Sequence, residues 1–139
     1  MKYRAAQILT LGIALTAVAA VHAQTKVLTA DVPFSFHVGS VVMPQGSYTV
    51  SATTDGVIAW IKPPQDQAAK AVTTINVVDK ERTKAVLVFH RVGQEYFLAE
   101  IWAGNGPAGR ALLPSRLEKE LAQSGTAPTL AVVRVALHR

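Results

Sequence analysis

Beyond residue 24 the apolar positions recur mostly every second residue in runs of five to nine, bounded by Gly, Pro, Asn and Asp, which is the signature of short β-strands. The densest such stretch is Lys84 to Trp102. Two runs rich in Val, Phe, Tyr, Ile and Trp flank Gly93-Gln94, and a glycine at the first central position suits a two-residue type II′ turn, which needs φ > 0 there. A continuous hairpin about that turn pairs Val92 with Glu95, Arg91 with Tyr96, His90 with Phe97, Phe89 with Leu98, Leu87 with Glu100 and Ala85 with Trp102. One face then carries Leu87, Phe89, Leu98 and Trp102, and the other carries Val86, Val88, Phe97 and Ile101. Apolar residues on both faces predict a central hairpin.

The remaining runs predict further strands. Val27 to Phe36 is one strand region, and Pro33, which has no N–H to donate, makes it an edge strand or breaks it there. His37-Val38-Gly39-Ser40 and Pro44-Gln45-Gly46 read as turns. Ser47 to Ala52 and Val57 to Lys62 flank Thr54-Asp55-Gly56 as an antiparallel pair. Pro63 to Gln67 is a stiffened loop, Ala71 to Val78 a strand, and Asp79-Lys80-Glu81-Arg82 a charged, solvated turn. Glycines 104, 106 and 109 predict an irregular, mobile loop from Ala103 to Gly109. Ser115-x-x-Glu118 is a capping box opening one short helix, Arg116 to Gln123, with Gly125 at its C′ position. Leu117 and Leu121 form its apolar stripe, so the helix should lie on the sheet as a lid. Thr129 to Leu137 closes the domain as a strand, with His138 in a frayed terminus. The expected fold class is all-β, mainly antiparallel, a small β-barrel or β-sandwich of seven to eight strands with one short helix.

The N-terminus reads differently. Lys2 and Arg4 precede an apolar run from Ile8 to Ala20, and Val21-His22-Ala23 fits a signal-peptidase site. The expectation is a cleavable signal peptide, residues 1–23, followed by a single β-rich domain, residues 24–139, in the periplasm or outside the cell. Cleavage removes two of the fourteen basic residues and none of the nine acidic ones, leaving 116 residues with a net charge of +3. Those charges are interspersed rather than clustered, which argues against a nucleic-acid partner. The chain has no cysteine, so the exported domain must be held by its core alone.

Four stretches occur in a suggestive order: Val32-Pro33-Phe34-Ser35-Phe36 with Gly39; Pro44-Gln45-Gly46-Ser47-Tyr48-Thr49-Val50; Leu87-Val88-Phe89-His90-Arg91 with Tyr96-Phe97-Leu98; and Gly109-Arg110 through Leu113-Pro114-Ser115 to Glu118. Together they resemble a family of small exported bacterial β-rich proteins of uncharacterised function. The resemblance implies export and a β-rich fold and brings no catalytic residue with it.

Candidate chemistry is sparse. Beyond residue 23 the histidines are His37, His90 and His138, without the spacing of a metal-ligand motif, and no metal ligand or cofactor is assigned. Ser115 lacks a nucleophile-elbow context and is accounted for by the capping box. Glu95 and Glu100, five residues apart, fall on opposite faces of a regular strand and cannot act as an acid–base pair. Glu100, opposite Leu87 and beside Leu98 and Trp102, needs a cation such as Arg91 or Arg110 if buried, and is expected to be a structural ion pair. The aromatic residues Phe34, Phe36, Tyr48, Trp60, Phe89, Tyr96, Phe97 and Trp102 either fill the core or line a ligand cavity. The leading expectation is a non-enzymatic exported β-domain that binds an envelope protein or polymer. The alternatives are a carrier of a small apolar ligand and, behind it, a hydrolase whose site assembles near Arg110 and the glycine loop.

Overall fold

The computed structural model describes residues 27–52, 57–64, 68–104, 106–125 and 127–138. The expected signal peptide and the expected turn at Asp55-Gly56 lie outside the described residues. Ten strands and one helix follow in the order β1 (Val27–Val32), β2 (Phe36–Val38), β3 (Val41–Met43), β4 (Gly46–Ala52), β5 (Ile58–Lys62), β6 (Lys70–Val78), β7 (Ala85–Val92), β8 (Glu95–Ala103), β9 (Ala108–Leu112), α1 (Arg116–Gln123) and β10 (Thr129–His138). All ten strands form one mixed, mostly antiparallel sheet in the order β3-β2-β8-β7-β10-β1-β4-β5-β6-β9. The parallel pairing joins β2 to β8. The sheet is not closed. It curls far enough, however, that β9 also pairs with residues Glu100 to Trp102 of β8.

The strand count exceeds the expected seven to eight because of β2, β3 and β9. Pro33 cannot donate to a ladder, and the first strand region breaks there, with β1 ending at Val32 and β2 starting at Phe36. β1 is nonetheless not an edge, since it pairs with β4 on one side and β10 on the other. The segment read as a turn, His37 to Ser40, supplies β2 and a tight connection at Gly39, whose φ is +59°. The glycine loop is shorter than expected, for Ala108 and Gly109 belong to β9. β10 runs to His138, which pairs with Val27, so that terminus is held by a ladder rather than frayed.

The β7–β8 hairpin turns at Gly93, φ +63°, and both of its strands are paired on their outer sides as well. Its register follows the expectation from Val92/Glu95 to Phe89/Leu98 and then shifts by one. Beyond the shift Val88 faces Glu100, Leu87 faces Ile101, Val86 faces Trp102 and Ala85 faces Ala103. Ala99 is the unpaired extra residue, a β-bulge. Because side chains alternate along a strand, one extra residue exchanges the faces of everything after it. Ile101 therefore joins Leu87, Phe89 and Leu98 in the main core, while Trp102 lies with Val86 and Val88 in a separate cluster, the reverse of the uninterrupted pattern.

The main core gathers Leu28, Ala30 and Val32 of β1, Phe36 and Val38 of β2, Tyr48 and Val50 of β4, and Ala59 and Ile61 of β5 against β7 and β8. Phe36 stands edge-on to both Tyr48 and Phe89, at 5.1 and 5.3 Å between ring centres, and Phe34 stands edge-on to Phe89 at 5.0 Å. Edge-to-face contacts at these separations are the favoured arrangement of aromatic quadrupoles. Tyr96 stacks on Phe34 at 3.8 Å and receives the Arg91 guanidinium at 5.5 Å. The Tyr48 hydroxyl donates to the Pro44 carbonyl, tying the connection after β3 to the core. Burial of each such ring contributes on the order of 1.5–3 kcal/mol, which suits a domain without disulfides.

Candidate functional site

On the outer side of the sheet one row of side chains crosses five strands. The pairings align Val42 of β3, His37 of β2, Phe97 of β8, His90 of β7 and Leu130 of β10. Phe97, 2% exposed, thus lies between two histidines, and its ring stacks on His37 at 4.7 Å. Each histidine has its own carboxylate. His37 Nε2 lies 2.6 Å from Glu95 Oε2, and His90 Nδ1 lies 2.7 Å from Glu118 Oε1. The first pair ties β2 to the start of β8, and the second ties α1 to β7.

The helix forms where its capping sequence places it. Ser115 at the N-cap accepts a hydrogen bond from the Glu118 backbone N–H at 3.2 Å, and Gly125 adopts φ +95° just beyond the last turn. The Glu118 carboxylate does not return to the N-cap to complete the box but reaches His90 instead. Nor does the helix behave as a buried lid: none of its residues is buried, and Leu117 is 41% exposed. It touches β7 and leaves an opening between its first turns and the β2–β3 hairpin.

That opening is a groove of about 550 Å³ lined by His37, Ser40, Val42, Ser115, Leu117 and Glu120 among others. Its charges are matched internally. Arg116 Nε lies 2.9 Å from Glu120 Oε1, and His37 is bonded to Glu95. Ser115 Oγ is occupied by the cap. Among the described residues neither His37 nor His90 is hydrogen-bonded to a Ser, Thr or Tyr hydroxyl, and no cluster of three or more His, Asp or Glu is placed to hold a metal ion.

The second region singled out by sequence, around Glu100, Arg110 and the glycine loop, has a different composition. Glu100 Oε2 accepts from the Trp102 indole N–H at 2.7 Å and lies 3.8 Å from Arg82 Nε. The expected cation was Arg91 or Arg110. Arg91 instead covers Tyr96, and Arg110 sits in register with Asn76 and Ile101. Arg82, placed by a turn in which its N–H donates to the Asp79 carbonyl, stands 5.7 Å over the Trp102 ring. Nothing in the spacing of the charged turn signals this role, because it depends on the bulge that turns Glu100 and Trp102 together onto the face away from Leu98.

No protein-family model, curated protein or solved structure matches the chain.

Proposed function

We propose that this chain is an exported, non-enzymatic β-domain that serves as a binding module in the cell envelope and makes its contacts at the hairpin–helix groove. The observation that carries the reading is the commitment of the reactive groups around that groove. Both His37 and His90 face carboxylates, Ser115 caps a helix and Arg116 faces Glu120, so an open, partly apolar surface remains with, among the described residues, no hydroxyl held ready by a histidine. The signal-like N-terminus supports export to the periplasm or beyond, and the resemblance to small exported bacterial β-rich proteins is in keeping with it.

The ten strands read best as an open, packed barrel. The return of β9 to β8 supports that shape, and the rings of Phe36, Tyr48 and Phe89 take up its interior. That filling weighs against a carrier of a small apolar ligand, which needs roughly 300 Å³ or more of interior room. Native mass spectrometry of the chain released gently from the periplasm separates the two. The binding module predicts the mass of residues 24–139, bare or joined to a protein or polymer. A stoichiometric small molecule that leaves on activation would establish the carrier instead.

A further inference from the structure

Every strand of the sheet except one is paired on both sides for at least part of its length. The exception is β3, whose residues Val41 to Met43 pair with β2 on one side and with no strand on the other among the described residues. Unpaired backbone N–H and C=O groups at an edge accept another strand at the ordinary spacing of about 4.8 Å. Natural edges are commonly blunted by charged side chains, yet residues 39–43 read Gly-Ser-Val-Val-Met, and Val42 is 61% exposed. What limits this edge is its length and Pro44, which follows it. So short a ladder orients an occupant without holding it.

The groove supplies the remainder. We propose that β3 and the groove together form a docking site for an extended peptide segment of a partner protein, which adds as a strand beside Val41–Met43 and places one uncharged apolar side chain in the groove. This rests on the binding-module reading above. Side chains of an added strand alternate, so the residue opposite Val42 shares its face, and Val42 itself lines the groove together with Leu117. The groove favours a neutral occupant because Arg116 faces Glu120 and His37 faces Glu95, leaving no lining charge unmatched for an ionic ligand. A second copy of this chain fits less well, since pairing β3 with β3 joins only three residues of each and leaves the groove unfilled.

The test is selection of random displayed peptides against the full exported chain, followed by affinity measurement with synthetic peptides. The expected winners carry an apolar residue at alternate positions. Methylating the backbone nitrogens of one alternate set should weaken binding at least tenfold, while methylating the other set changes it little. Val42→Lys should also weaken binding at least tenfold without lowering the melting temperature, Trp60→Ala should leave it unchanged, and amide exchange should slow at residues 41–43. Peptides that bind Val42→Lys equally well, or that protect another region, would overturn the edge assignment while leaving the binding-module reading standing. Failure to select any peptide would overturn the edge assignment too, and the native-mass experiment judges the broader reading independently.

Discussion

The Trp102 ring lies across Gly109 of the neighbouring strand, so closely that a Cβ at residue 109 would stand 2.5 Å from its Cε3 atom. The two residues are also direct partners in the β8–β9 ladder. This glycine is therefore required by a close approach, not by a turn. Gly109→Ala should destabilise the domain by about 1–3 kcal/mol, the usual cost of overpacking, and should shift Trp102 emission to longer wavelength as the ring is displaced. Denaturant titration followed by fluorescence measures both. An unchanged midpoint and spectrum would show that the ring does not rest on residue 109.

Glu100 acts on the same ring from the side. Its carboxylate gives the Trp102 N–H an acceptor, whereas its 3.8 Å approach to the partly exposed Arg82 contributes little. Glu100→Gln keeps an acceptor and should cost less than about 1 kcal/mol. Glu100→Leu strands a buried indole N–H and should cost about 1–3 kcal/mol. Chemical denaturation of both variants checks the order, and equal losses would assign the contribution to charge instead.

Ala99 is the extra residue of the bulge, so its deletion leaves Leu98 opposite Phe89 and Glu100 opposite Val88 in regular alternation. Ile101 then stays in the main core and Trp102 in the separate cluster. The deletion should still unfold cooperatively, at a cost of about 1–3 kcal/mol for the altered bend of β8, and should leave Trp102 emission unchanged. Denaturant titration followed by fluorescence checks both, and loss of the cooperative transition would mean that the bend at Ala99, not the register beyond it, holds β8.

Burial raises the pKa of Tyr48 above the ordinary tyrosine value of about 10. The folded state thus holds the phenolic proton more tightly than the unfolded chain. That stability is fully present below pH 10 and is lost as the pH climbs toward the folded pKa. Tyr48→Phe should flatten the alkaline decline, at a constant cost of about 1 kcal/mol for the hydrogen bond to Pro44. Parallel declines in the two proteins between pH 9 and 11 would remove Tyr48 as the cause.

Several of these features could be read from sequence because they are local. Gly93 declares the hairpin turn, Ser115 and Gly125 declare the two ends of α1, and Pro33 declares a break. The near half of the hairpin register follows from the turn. The far half does not, because a bulge depends on the strands that flank β8 on both sides. A small Ala99 inside a run of bulky residues is its one trace in the sequence. The candidate site is illegible for a related reason. Phe97, His37 and His90 come together through a parallel β2–β8 pair and an antiparallel β7–β8 pair, and the first of these joins residues sixty apart. The strand at β9 was hidden because its glycine, which ordinarily signals irregular backbone, makes room for an indole from another strand.

The hairpin–helix groove is the proposed meeting place of this domain and its partners. The most direct test of that groove is photo-crosslinking in living cells, with a benzophenone amino acid placed at Val42 in the full-length chain and, separately, at Trp60, an exposed residue on β5. A discrete partner adduct at Val42 and none at Trp60 is the predicted result. Adducts at Trp60 alone, or none at either position, would contradict it.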